Sequence, residues 1–390
     1  MTFDFDTRPQ RRGTASEKWD ALERLYGSAD VLPMWVADMD FACPPAVVEA
    51  VVARARHGVY GYTDYTEPVY GAVQGWMRER HGLDVPRDWI GFAHGVVPSL
   101  AFILKGLTRA GDGILIQPPT YYPFAPTIEL NGRRVVNNPL VREGGRYRMD
   151  LDDLREKARD GVKAAILCSP HNPVGRVWTR EELRAFGDVC LEHGILVISD
   201  EVHSDLTYPG VVHTPYLALG APYADRAMLL HAPSKTFNLA GMQTSYTLIP
   251  NPALRAAYEH VVHEVHLHQG SPFGLVALEA AYTRGGAWYE GLRGYLAGNL
   301  AYLEDFVARE IPGVEAIHPE GTYVVWLDCR GLGMEPEALA RFMNGTARVA
   351  LSHGPSFGAG GAGYERINIA CPRSMLVEAL DRIAAAVRSR

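Results

Sequence analysis

A lysine stands among small and apolar residues in the segment Ala232-Pro-Ser-Lys-Thr-Phe-Asn238, directly after an apolar run. Lysines are mostly solvated, so a loop lysine is the plain reading of Lys235. The other reading is a Schiff-base lysine, a role that suits a partly desolvated amine because the neutral form is the nucleophile. Asp200, in Ile198-Ser-Asp-Glu-Val-His203, ends another apolar run. Alone it reads as a helix N-cap. Beside Lys235 it reads as the counter-charge that keeps a pyridinium nitrogen protonated, which pyridoxal-phosphate chemistry requires of a ring acting as an electron sink.

Three further segments suit the same cofactor. In Ser169-Pro-His-Asn-Pro-Val-Gly175, Asn172 can donate to a phenolic oxygen, although the segment also reads as a proline turn. Gln117-Pro-Pro-Thr-Tyr-Tyr-Pro-Phe124 offers an aromatic face for a planar ring, or core packing. His94-Gly-Val-Val-Pro-Ser99 opens a helix whose free amides can take a phosphate, or is an ordinary glycine-started helix.

The elements that position these residues follow from the apolar pattern. Gly113–Gln117, Ala164–Cys168, Ile195–Ser199 and Ala227–His231 are short apolar runs that read as strands buried on both faces. The candidate residues sit where such strands end, as expected of an open α/β sheet. The first 44 residues read as an arm plus a substrate-side loop, with Pro44 and Pro45 marking a helix start. A large domain over 45–285 ends at Gly285-Gly286. Beyond it, 286–390 reads as a smaller α+β domain with a helix over Trp288–Glu310, a strand over Gly321–Asp328 and a Gly-rich loop, Gly354–Gly363, leading into a final helix.

Composition sets the class. The 390 residues are 47% hydrophobic and 21% charged, which excludes a disordered, collagen-like or coiled-coil chain. A net charge of −7 leaves no basic face for nucleic acid or an anionic membrane. The five cysteines are scattered, with no spacing that indicates a metal site, and there is no leader or apolar membrane span; a reduced, cytoplasmic protein is expected.

The ordered segments carry a resemblance that spans nearly the whole chain: Arg12-Gly-Thr, Trp35-Val-Ala-Asp-Met-Asp-Phe41, Tyr60-Gly-Tyr-Thr63, Gly95-Val-Val-Pro98 and Pro170-His-Asn-Pro-Val-Gly-Arg-Val-Trp178. It continues through Ser199-Asp-Glu-Val-His-Ser-Asp-Leu206, Ala232-Pro-Ser-Lys-Thr-Phe-Asn-Leu-Ala-Gly241, Pro319-Glu-Gly-Thr-Tyr323 and Arg366-Ile-Asn-Ile-Ala-Cys-Pro-Arg373. The chain resembles the fold-type-I pyridoxal-phosphate enzymes, and within them the cystathionine β-lyase or carbon–sulfur lyase (MalY/PatB-like) branch of the class I/II aminotransferase superfamily. The resemblance implies a mostly parallel, seven-stranded-type sheet and pyridoxal 5'-phosphate as cofactor.

It also implies roles. Lys235 is the Schiff-base lysine and proton carrier, Asp200 partners the pyridine nitrogen, and Asn172 donates to the phenolic oxygen, near which His203 falls. Tyr121 stacks on the ring, while the backbone of Gly95, Val96 and Val97 lies near the phosphate with Ser234. Tyr62 reaches the phosphate of the neighbouring subunit, which makes a homodimer with shared sites. Arg366 grips the substrate α-carboxylate, where a guanidinium fork suits two oxygens. Tyr323 and the loop residues Trp35, Ala37 and Asp38 line the substrate side. The reaction implied is α-proton removal by Lys235, expulsion of a thiolate from Cβ, and release of pyruvate and ammonia from an S-substituted L-cysteine.

Some positions depart from that pattern. Gln243 stands where many aminotransferases place a phosphate-neutralising arginine, and Ala232 replaces a phosphate-binding serine. The run His260-Val-Val-His-Glu-Val-His-Leu-His268 and the segment Leu351-Ser-His-Gly354 are unusual for the branch. His266 and His268 then read either as contacts to a large polar S-substituent, together with His353, or as solvated imidazoles at a helix end; their spacing is a weak metal signal. Transamination, decarboxylation coupled to oxidative deamination, and a regulator acting through a protein partner are the competing readings.

Overall fold

The computed structural model describes residues 3–390. Val162–Cys168, Leu196–Asp200 and Ala227–His231 are buried along their length except at Lys163, as their apolar runs require. They belong to a seven-stranded sheet whose spatial order is Ile90–Ala93, Ser245–Leu248, Ala227–His231, Leu196–Asp200, Val162–Cys168, Gly113–Ile116 and Arg134–Asn137. Ser245–Leu248 is antiparallel to both neighbours, and the other adjacent pairs are parallel.

Successive side chains on a strand point to opposite faces, and two cores result. Ile114, Ile116, Ile166, Ile198 and Met228 pack with Leu100 and Ile103 of the helix Val96–Leu107 and Tyr258 of the helix Pro252–Glu264. Leu115, Ala165, Leu167, Val197 and Leu229 face the other way, toward Phe186 of the helix Arg180–Glu192 and Leu278 of the helix Pro272–Arg284.

A second, antiparallel sheet runs Glu315–Ile317, Val324–Asp328, Tyr364–Asn368 and Ser352–His353 in space. The helix Gly286–Glu310 contacts this sheet and the terminal helix Arg373–Arg388. Two details differ from the sequence reading. The expected strand over Gly321–Asp328 starts only at Val324, because Thr322 takes a positive φ of 73° and Gly321 bridges to Thr207. A strand, Tyr364–Asn368, intervenes between the Gly-rich loop and the last helix. The opening segment forms the helices Glu17–Asp20 and Leu22–Tyr26, and its strand Leu32–Pro33 pairs with Val349–Ala350. Among the described residues no helix is long and apolar enough to cross a membrane.

Candidate active site

The carboxyl ends of the central strands converge on one cavity. Asp200 and Cys168 are the last residues of their strands, and the chain leaving Ala227–His231 turns into the short helix Pro233–Thr236 that carries Lys235. The helix Val96–Leu107 starts at the same edge. Gly95 precedes it at φ 124°, in the region that favours glycine, and no side chain caps its first amides. The cavity measures about 330 Å³ and is lined by Lys235, Asp200, Asn172, His203, Tyr121, Ser234, Gly95, Val96, Val97 and Ala37. Gln243, at the position of the phosphate-neutralising arginine, and His94, which precedes the helix-opening Gly95, also line it, as do Cys168 and Val202, which had no site role in the sequence reading because each reads as an ordinary strand or turn residue.

Burial sets the charges here. The Lys235 ammonium donates to the Ala37 carbonyl (Nζ to O, 2.7 Å), and burial, with the Arg366 charge adding, pushes its pKa down to about 8. Asp200 accepts one hydrogen bond, from the Val202 amide at 3.2 Å, and burial pushes it up to about 6. His203 is held neutral by burial and by the nearby Lys235 and Arg366 charges; its Nδ1 is buried without a hydrogen-bond partner.

Arg366 is only 1% exposed. Its guanidinium donates to Asn172 Oδ1 (2.9 Å), the Trp35 carbonyl (2.9 Å) and Ser352 Oγ (3.0 Å), and it lies over the Phe357 ring. No carboxylate among the described residues pairs with it. A buried cation without an acid is costly, so the arrangement is suited to an incoming carboxylate.

The remaining candidates fall at different distances from this centre. The Tyr323 hydroxyl donates to the same Ala37 carbonyl at 2.8 Å and is fully buried. The Asp38 carboxylate is engaged by Arg11 at 2.6 Å and has Lys18 at 3.5 Å. Trp35 lines a neighbouring cavity. Tyr62 is 96% exposed and does not meet the cavity of its own chain. His266 is exposed just beyond the helix Pro252–Glu264, and the His268 ring stacks on His263 at 4.6 Å, so neither lines that cavity. The residue just after the run reaches the cavity's rim, where His94 Nε2 lies 2.8 Å from the Gln269 carbonyl.

Beneath Lys235 lies a network absent from the sequence reading, whose only sequence signal was the polar content of Val202-His-Ser-Asp205. The buried Asp205 carboxylate accepts from Trp76 Nε1 (3.1 Å), His81 Nε2 (2.7 Å) and Thr236 Oγ1 (2.6 Å). Burial alone would raise its pKa, but the hydrogen bonds from His81 and Thr236, with the His81 and His231 imidazoles beside it, hold it far below the usual carboxylate range. His81, Asp205 and His231 stand close enough together to ligate a metal, yet hydrogen bonds already take up the carboxylate and His231 Nε2, which meets Ser204 Oγ at 2.8 Å.

A buried carboxylate, a buried amine, an amide group, an aromatic face, a helix N-terminus and an orphaned imidazole nitrogen form a donor set that fits pyridoxal phosphate.

Comparison with known proteins gives the same class. The model of the family described as aminotransferase class I and II matches residues 29–383. Cystathionine beta-lyase PatB of Bacillus subtilis is 42% identical over 386 residues, covering 99% of this chain and all of that protein. The structure of cystalysin from Treponema denticola, which contains pyridoxal 5'-phosphate, superposes with a TM-score of 0.95 at 36% identity and full coverage of both chains. The pyridoxal-phosphate-bound C–S lyase of Staphylococcus hominis does so with a TM-score of 0.93 at 32% identity, over 99% of this chain and 98% of that one.

Proposed function

The chain belongs to the aminotransferase class I and II family, and from that membership we propose that it is a pyridoxal-phosphate-dependent carbon–sulfur β-lyase, cleaving an S-substituted L-cysteine to a thiol, pyruvate and ammonia. The observation that carries the amino-acid substrate is Arg366, buried beside Asn172 with no acidic partner. Likeness over the full chain to PatB and to two C–S lyase or cystalysin structures supports elimination over transamination. Gln243 on the cavity wall, in place of a phosphate-neutralising arginine, agrees with that choice.

Lys235, Asp200, Asn172, His203, Tyr121, Ser234 and the amides of Gly95, Val96 and Val97 would hold the cofactor. When bound, it supplies an electron sink for negative charge developing at the substrate Cα. Arg366 receives the α-carboxylate in its fork and fixes which Cα bond is presented for cleavage. Lys235, with a pKa brought near 8, carries the Cα proton as general base and can return it. The Ala37 carbonyl, shared between Lys235 Nζ and the Tyr323 hydroxyl, orients that amine. Asp200, raised to about 6 by burial, would supply the counter-charge for the protonated ring nitrogen. The Cα electron pair forms a Cα=Cβ bond as the Cβ–S bond breaks with its pair leaving on sulfur, which takes the proton carried by Lys235; water then hydrolyses the imine tautomer of the 2-aminoacrylate product to pyruvate and ammonia.

The working unit is a homodimer in which Tyr62 completes the partner's phosphate site. In support, Tyr62, Tyr60 and Val59 form an exposed aromatic and aliphatic set of the kind that marks an interface. The chain divides into a large domain over 45–285 and a small one over 286–390, with residues 1–44 forming an N-terminal arm and part of the small domain. Five free cysteines, four of them buried, support a reducing, cytoplasmic setting. The test is product analysis with L-cystathionine: pyruvate and thiol in equal amounts support the lyase, and a 2-oxo acid retaining sulfur would refute it.

A further inference from the structure

The segment 34–38 lies against the strand Tyr364–Asn368, and side chains and backbone of that strand hold its carbonyls one after another. The Asn368 amide donates to the Met34 carbonyl at 2.9 Å. Arg366 Nη2 and Ser352 Oγ donate to the Trp35 carbonyl at 2.9 and 2.8 Å. The buried Asn368 side chain then spans Ala37, with Nδ2 donating to the Val36 carbonyl at 2.7 Å and to the Asp38 carbonyl at 2.6 Å. Carbonyl oxygens only accept, so both amide protons are in use and the amide has one orientation. Its Oδ1 accepts from the Ala370 amide at 2.8 Å.

Ala37 is the exception in this series. Its carbonyl, between the two that Asn368 holds, accepts from Lys235 Nζ at 2.7 Å and from the Tyr323 hydroxyl at 2.8 Å. Beyond it the chain is tied to the loop that carries the lysine. Asn238, at φ 58°, accepts from the Met39 amide at 2.9 Å and donates to the Met39 and Phe41 carbonyls, each at 3.0 Å. Arg366 and Asn368 stand two apart on one strand and face the same side. One strand therefore carries the cation suited to the substrate carboxylate and the amide that fixes the carbonyl on which the amine rests.

We propose that Asn368 is a positioning residue for proton transfer at Cα: by holding the carbonyls on either side of Ala37, it sets Lys235 Nζ at the spacing from the Arg366 fork that the Cα proton requires. This rests on the reading of Lys235 as the proton carrier, and not on which bond breaks next. The test follows exchange of the Cα proton of L-alanine in D2O by NMR on the pyridoxal-phosphate-loaded protein, a ligand with no C–S bond to break. Asn368→Ala is expected to exchange about a hundredfold more slowly at saturation, the scale of a displacement of about 1 Å. Affinity for L-alanine, read from the cofactor spectrum, should stay within about threefold of wild type, since Arg366 keeps Asn172 and Ser352 as partners. A merely structural role would weaken binding and exchange together. Asn368→Ser, which keeps one donor, serves as the second variant should Asn368→Ala fold poorly, and should exchange about tenfold more slowly. In cofactor-free protein the midpoint for alkylation of Lys235 should fall in both variants, because the buried ammonium loses a fixed acceptor. Unchanged exchange, affinity lost in step with exchange, or a midpoint that stays or rises would overturn the proposal. No exchange in wild type would overturn the reading of Lys235 and this proposal with it. The expected pattern of exchange without thiol from any S-substituted cysteine would overturn the lyase reading and uphold the role of Asn368.

Discussion

Lys235 has one acceptor, the Ala37 carbonyl, and shares its cavity with an Asp200 that burial pushes toward its neutral form. The amine is therefore expected to lose its proton near pH 8, well below the ordinary lysine value of 10.5. In cofactor-free protein, alkylation of Lys235 followed by mass spectrometry should titrate with a midpoint near 8; a midpoint above 10 would remove the basis for its role as a base. Lys235→Ala should lower thiol production by about a thousandfold, the scale of a lost general base. Lys235, Asp200 and Asn172 were legible in the sequence because each stands at or just beyond the end of an apolar run and because together they suit one cofactor. Asp205 was not, since an acid in a polar run reads as a turn residue until the fold buries it against Trp76, His81 and Thr236.

The short helix Pro233–Thr236 has few residues to hold it, and Thr236 is anchored to Asp205. Removing the Asp205 charge leaves His81, Trp76 and Thr236 donors facing an amide in a fully buried site. Asp205→Asn should therefore destabilise the fold by about 3 kcal/mol in denaturant unfolding, as for other broken buried pairs. The pH sign follows from its depressed pKa. Its contribution is complete above the ordinary value of 3.8 and is lost as pH falls below it, so wild type should lose stability in that range more steeply than Asp205→Asn. Equal pH slopes would show that Asp205 does not carry the charge assigned to it. Strands made of apolar residues were visible in the sequence. Tyr364–Asn368 was not, because Tyr-Glu-Arg-Ile-Asn places two charged side chains at positions that the fold buries. Ser245–Leu248 hid in the same way, with the hydroxyl-bearing Ser245, Tyr246 and Thr247 in a fully buried strand.

At the scale of the molecule, the two sheets set the cavity against Arg366, and the exposed Tyr62 must find its place on another copy if it is to act. Mixing Lys235→Ala with Tyr62→Ala protein, each expected to be weak alone, should restore activity, because mixed dimers hold one site with both residues intact. No recovery on mixing under conditions of subunit exchange would mean that each site is built from one chain. The central strands were readable from their apolar runs, but the tie between Leu32–Pro33 and Val349–Ala350 was not, since nothing local announces a two-residue pairing across the length of the chain. The measurement that bears most directly on the whole account is a product balance on pyridoxal-phosphate-loaded protein with an S-substituted L-cysteine, following thiol, pyruvate, carbon dioxide and the cofactor spectrum in one reaction. The account predicts thiol and pyruvate in equal amounts, no carbon dioxide and a cofactor that returns to its starting spectrum; carbon dioxide, or a pyridoxamine spectrum without thiol, would contradict it.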